Sequence, residues 1–123
     1  MIQKHTSIKI VDNTGARYAR CIGIPALRAH SASIWGDIIT VVLSAVKAHK
    51  PIKRKEIHKA ILLRTTFRIK RRGIGFLRFD NNCAILLSKK GIPMAKRIYG
   101  PILDEMRHKA DFNKVASLTK LLV

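Results

Sequence analysis

Acidic residues are scarce in this chain of 123: 7 Asp and Glu face 25 Lys and Arg, leaving a formal charge of +18. A compact domain with that excess repels itself unless a polyanion neutralises it, and nucleic acid is the obvious polyanion. Scarce carboxylates also argue against a metal-dependent nuclease, which must gather several around a divalent ion. Cysteine is nearly absent. Cys21 and Cys83 each stand in an apolar stretch without zinc or redox spacing, so they read as buried thiols of a reducing compartment. Long apolar runs are missing too: Ile38 to Val46 falls far short of the ~20 residues of a membrane-spanning helix. There is no Ser/Gly-rich linker and no repeat, and Met1-Ile2-Gln3-Lys4-His5 lacks the apolar core of a targeting segment. These absences predict a soluble single domain over residues 1–123.

What is present excludes a disordered basic tail. Hydrophobic residues make up 47% of the chain, enough to bury a core while the charges stay outside. Strand-length apolar runs recur between turn residues through the first two thirds, the pattern of a small all-β barrel. Ser7 to Val11 comes first, closed by the turn signal Asp12-Asn13-Thr14-Gly15. Tyr18 to Ile24 follows, with Tyr18, Arg20, Ile22 and Ile24 on one face and Ala19, Cys21 and Gly23 on the other, and Pro25 interrupts it. Residues 38–43, 60–63, 75–79 and 83–87 give four more β-branched or aliphatic runs.

After Gly91 the pattern changes to a helical tail. Gly100-Pro101 predicts a helix start, with Asp104 and Glu105 opposing its N-terminal dipole, Glu105 paired with Lys109, and Ile102, Leu103 and Met106 inward. Phe112 to Leu118 predicts a second short helix packed through Phe112, Val115 and Leu118.

The cations are unevenly placed. Lys47, Lys50, Lys53, Arg54, Lys55 and Lys59 crowd the middle connection, and Arg64, Arg68, Lys70, Arg71 and Arg72 follow, with Glu56 the lone acid among them. A solvated face normally mixes signs, so a sustained single sign predicts a surface built against phosphates; a generic solubilising loop is the bland alternative. Gly73-Ile74-Gly75 lacks the third glycine and the following helix of a nucleotide fingerprint, and reads as a hairpin turn. Phe76 and Arg78 then share one strand face, Leu77 and Phe79 the core face, leaving Phe76 to cover the barrel or brace RNA. His5, His30, His49, His58 and His108 are scattered without metal-ligand spacing, and Asp12, Asp37 and Asp80 lie at turns, where bonding to backbone amides is the ordinary role. No catalytic constellation, cofactor motif or small-molecule site is predicted.

Short motifs along the whole chain resemble one family. Met1-Ile2-Gln3, Asp12-Asn13-Thr14-Gly15-Ala16, Gly36-Asp37-Ile38-Ile39, Ala60-Ile61-Leu62-Leu63-Arg64-Thr65, Arg78-Phe79-Asp80-Asn81-Asn82-Cys83-Ala84 and Arg97-Ile98-Tyr99-Gly100-Pro101-Ile102 follow in order, with Glu105, Arg107 and the C-terminal Phe112 to Leu118 behind them. Together they resemble ribosomal protein fourteen of the large subunit in its bacterial or organellar form. The resemblance implies a mainly β fold: a five-stranded barrel with a projecting β-ribbon over residues 1–90, then a loop and two short α-helices over 91–123. It also implies direct binding to large-subunit ribosomal RNA, neighbours in ribosomal proteins three and nineteen, and an intersubunit bridge to small-subunit RNA.

Carried onto this chain, the resemblance places Asn13, Thr14 and Arg17 beside RNA, with Arg64, Arg78, Lys96, Arg97 and Arg107 at the family's basic positions. Arg28, Lys53, Arg54, Arg68, Lys70, Arg71 and Arg72 are added here as phosphate contacts. The family's usual Gly-Gly near the ribbon is Ala26-Leu27, its Gly-Glu-Pro is Gly91-Ile92-Pro93, and its Ala-Pro-Glu ending is Thr119-Lys120-Leu121. Trp35 and Leu27 are either docking residues for a neighbouring protein or buried. Such drift at regular turns, with no presequence, points to an organelle-encoded protein of the mitochondrial matrix, with a plastid or bacterial cytoplasm as alternatives. A free-standing RNA chaperone or regulatory module is the rival function.

Overall fold

The computed structural model describes residues 2–24, 35–71, 73, 75–108 and 113–123. Among the described residues there are seven strands: β1 (Ser7–Ile10), β2 (Ala16–Gly23), β3 (Ile38–Val46), β4 (Ile57–Arg64), β5 (Ile69–Arg71), β6 (Gly75–Leu77) and β7 (Cys83–Leu87). Five of them close a barrel in the order β1-β2-β3-β4-β7, while β5 and β6 form a separate two-stranded sheet. Four neighbouring pairs in the barrel are antiparallel, and the closing pair, β1 with β7, is parallel. An odd number of strands requires this, because directions that alternate around a ring of five meet once in the same sense. Closure removes the strand edges that an open sheet of such short strands would expose.

Period-two alternation fills the barrel. Ile8 and Ile10 from β1, Ala16, Ala19 and Cys21 from β2, Ile39, Val41 and Leu43 from β3, Ala60 and Leu62 from β4, and Ala84 and Leu86 from β7 form one buried cluster. Its alanines alternate with large aliphatics, as a narrow interior demands. The intervening residues of β4 and β7, namely Ile61, Leu63, Cys83, Ile85 and Leu87, point outward but are equally buried. They pack under Ile98, Ile102, Leu103, Met106 and Val115 of the C-terminal segment. β7 is therefore covered on both faces, which is why its sequence is apolar at every position. Trp35 packs against this second cluster, resolving it as part of the core side.

Several expectations are met and several corrected. Cys83 to Leu87 forms a strand with the bounds expected of it, and Ala19 and Cys21 face inward while Tyr18, Arg20 and Ile22 face out. β3 and β4 run longer than expected, to Val46 and back to Ile57. β5 was not anticipated as a strand; it pairs antiparallel with β6 around Gly73, so that turn is a hairpin. Leu77 and Phe79 pack against the second cluster and Phe76 is 66% exposed, which removes core packing as its role.

The C-terminal region departs most. Among the described residues one α-helix forms, α1 (Asn113–Leu118), and the first expected helix is a short 3₁₀ segment, Asp104–His108. Ile102 cannot join a helix because its amide donates to the Leu121 carbonyl and its carbonyl accepts from the Val123 amide, as in a parallel bridge with Leu122. The Glu105 carboxylate is met by Arg71 at 2.8 Å, an ion partner 34 positions away. Pro25, Leu27, Lys109 and Phe112, and the ribbon expected around Ala26-Leu27, lie outside the described residues.

Gly15 fixes the turn between β1 and β2. Its φ of +105° is a conformation L side chains rarely adopt, and a Cβ there would stand 2.5 Å from Cγ and 2.6 Å from Cβ of Lys50. Gly15→Ala is expected to destabilise the chain by about 1–3 kcal/mol, through backbone strain and displacement of Lys50. Urea unfolding followed by circular dichroism measures it; an unchanged midpoint would mean the turn relaxes freely.

Candidate nucleic-acid interface

The candidate surface lies on the outside of the barrel, where alternation sends every second side chain to solvent. From the expected set, Asn13, Arg17, Lys53, Arg54, Arg68, Lys70, Arg78, Lys96, Arg97 and Arg107 are exposed. Lys47, Lys50, Lys55 and Lys59, which share the β3–β4 region with Lys53 and Arg54, are exposed as well. The acid among them, Glu56, is taken by His58 at 2.9 Å, and that hydrogen bond chiefly pulls its carboxyl below the usual carboxylate range. Glu56 thus stays ionised, one negative charge among Lys47, Lys50, Lys53, Arg54, Lys55 and Lys59, and the connection remains strongly cationic.

Other members of the set have structural work. Thr14 is half-buried, and its amide and hydroxyl both donate to Asp12 Oδ1, at 3.1 and 2.5 Å. Asp12 Oδ2 accepts the Leu86 amide at 3.0 Å, so one buried carboxylate ties the β1–β2 turn to β7. Arg71 is held between the Glu105 carboxylate and the Val123 carbonyl oxygen, which makes it a clasp joining the β5–β6 sheet to the C-terminal segment rather than a free cation. Arg107 stays exposed but lies 3.8 Å from Asp104. Arg28 and Arg72 lie outside the described residues.

Arg64 occupies a different position. It stands at the end of β4, half-buried, and lines a pocket of about 550 Å³ with Lys9, Asp12, Arg17, Tyr18, Lys47, Asn81, Tyr99 and Gly100 among its walls. Six separate segments meet there. The Lys47 amide donates to the Gly15 carbonyl at 2.7 Å, bringing the end of β3 against the turn, and the Tyr99 amide donates to the Val11 carbonyl at 2.8 Å, docking the C-terminal segment on β1. Gly100, at φ +86°, is what leaves room for the guanidinium: a Cβ there would stand 2.5 Å from Arg64 Nη1. Arg64 Nη2 donates to the Tyr99 carbonyl at 3.5 Å, and its Nε is buried without a partner. Of the pocket's lining, the sequence reading singles out Arg17 and Arg64 and places Lys47 in the basic stretch facing phosphates, but it does not single out Lys9, Tyr18 or Tyr99 as site residues. The outward alternation of β1 and β2 was the available signal for Lys9 and Tyr18; Tyr99 had none, since only tertiary docking brings it there.

Both cysteines are buried and free, and burial pushes both thiols up, opposed at Cys83 mainly by the charge of Arg64. Among the described residues no group of three or more His, Cys, Asp or Glu could hold a metal ion, and no helix is long and apolar enough to cross a membrane.

A closed barrel with an apolar interior and a predominantly cationic exterior defines a class, that of small basic scaffold proteins. The ribosomal protein L14p/L23e family matches residues 1–123, and the chain belongs to that family. It is similar, at 36% identity over 123 residues covering 100% of both chains, to the large ribosomal subunit protein uL14 of Aquifex aeolicus (strain VF5). Proteins of this family are structural constituents of the large ribosomal subunit; the chain is a ribosomal protein and not an enzyme.

Proposed function

We propose that this protein is a single structural domain held permanently in the large ribosomal subunit, where its exposed cations neutralise ribosomal RNA phosphates. The observation that carries the reading is the pairing of full-length family membership with a surface on which Lys53, Arg54, Arg68 and Lys70 are all exposed. A charge of +18 confined to so small a fold needs a fixed polyanion, and RNA folded into one architecture needs positioning contacts more than sequence readout. Within that setting, we read the resemblance to imply neighbours in ribosomal proteins three and nineteen and a bridge to small-subunit RNA. A mitochondrial ribosome is our reading of the drift at the turns, whereas the relative named above is bacterial.

The native protein is expected to cosediment with large subunits through moderate salt, and crosslinking in cells is expected to join it to large-subunit RNA. Finding it only in free fractions, bound to many unrelated RNAs, would replace this reading with that of a free-standing RNA chaperone.

A further inference from the structure

We propose that the pocket between the β1–β2 turn and the Tyr99–Gly100 segment receives one unpaired nucleotide of the bound RNA, its phosphate facing Lys9, Arg17 and Arg64 and its base lying against Tyr18 or Tyr99. The proposal rests on the RNA-binding reading above and names the form of RNA that one site takes.

Four cations converge on this pocket, namely Lys9, Arg17, Lys47 and Arg64. The acid in its wall, Asp12, already accepts three hydrogen bonds from Thr14 and Leu86, so its oxygens are occupied within the fold. Arg64 is the unusual member. A guanidinium carries five donors, yet the described acceptors nearest it are a carbonyl oxygen at 3.5 Å and the Cys83 thiol, and its Nε has none. A cation partly withdrawn from water and weakly matched inside the protein favours an anion from outside, and phosphate fits the guanidinium fork.

The aromatic residues select the kind of anion. Tyr18 is 47% and Tyr99 55% exposed, on opposite contributors to the same pocket, and each leaves a ring available for stacking. Lys9 is the cross-strand neighbour of Tyr18, which puts an ammonium beside a ring, the combination that holds a sugar-phosphate chain and a base together. In a duplex the base faces are covered by their neighbours, so only an unpaired nucleotide can use such rings. A volume of about 550 Å³ lies within the usual range for small-ligand pockets, roughly 300–1,000 Å³.

The test measures fluorescence anisotropy of the full chain with a short labelled oligouridylate and, separately, with an RNA duplex of the same length. Replacing both rings, Tyr18→Ala with Tyr99→Ala, is expected to weaken single-strand binding about tenfold or more while leaving duplex binding and the salt slope unchanged. Tyr18→Phe with Tyr99→Phe is expected to retain wild-type affinity, since a phenyl ring stacks as well. Lys9→Gln and Arg17→Gln are each expected to lower the salt slope on the single strand by about 0.7. Equal loss on both RNAs, no loss on the single strand, or uridine monophosphate binding as tightly as the oligomer would overturn the proposal. A chain whose alanine variant keeps full single-strand affinity but still cosediments with large subunits fails the pocket alone; failure of the wild type to cosediment fails the broader reading.

Discussion

Removing four exposed cations together, as Lys53→Gln, Arg54→Gln, Arg68→Gln and Lys70→Gln, is expected to weaken binding to large-subunit RNA about a thousandfold at 0.1 M salt and to flatten its salt dependence by about 3–4 in d log K/d log [salt]. Each cation that neutralises a duplex phosphate releases close to one counterion, about 0.9 on the slope, and four such terms add because the side chains act as separate point contacts. All four lie exposed on the surface, so the fold should survive their loss. Arg71→Gln is the matched control. Its guanidinium is spent on Glu105 at 2.8 Å, so the change should lower thermal stability and leave the salt slope nearly intact. Filter binding across a salt series, with melting curves for each variant, separates the two kinds of cation. An unchanged slope for the quadruple variant would take those residues out of the interface.

Asp12→Ala should cost about 3 kcal/mol of stability and lower the melting temperature by about 10 °C. Asp12 is 6% exposed and accepts from the Thr14 amide, the Thr14 hydroxyl and the Leu86 amide, which lies in the wall of the barrel. Its removal strands at least one buried donor, and an unsatisfied buried amide alone costs about 1–3 kcal/mol. The backbone bridge from Asp12 to Ile98 does not involve the carboxylate and stays in place, so the loss is confined to the turn and β7. Thr14→Ala removes only one of the three bonds and should cost about 1 kcal/mol. Thermal unfolding by circular dichroism decides the matter: a loss for Asp12→Ala no larger than for Thr14→Ala would show that water replaces the carboxylate at the Leu86 amide.

Much of the barrel was legible before any coordinates. β7 was found with its observed bounds because it is apolar at every position, and the inward placement of Ala19 and Cys21 followed from alternation, whereas Ala16 turns inward through a register irregularity at the start of β2. The reading of a helix starting at Gly100-Pro101 failed for a nonlocal reason. Ile102, Leu103 and Met106 do have helical spacing and are buried, but the backbone of Ile102 is claimed by Leu121 and Val123, so helical bonding starts only at Asp104. β5 escaped notice because Ile69-Lys70-Arg71 has no intrinsic strand signal; it extends only because Ile69 pairs with Leu77 and both rest on the second core.

Composition and local order by themselves settled that this chain folds into a β-rich body with a cationic exterior. Burial periodicity and net charge are sums over residues and depend little on long-range geometry. Tertiary structure decided which cations remain available. Arg71 and Glu105 meet across 34 positions, and the pocket around Arg64 gathers residues from β1, β2, β4 and the segments after β3 and β6 and near Gly100. A side chain's electrostatic partner is set by strand register and barrel closure, and those are fixed by packing between residues that the linear pattern keeps far apart.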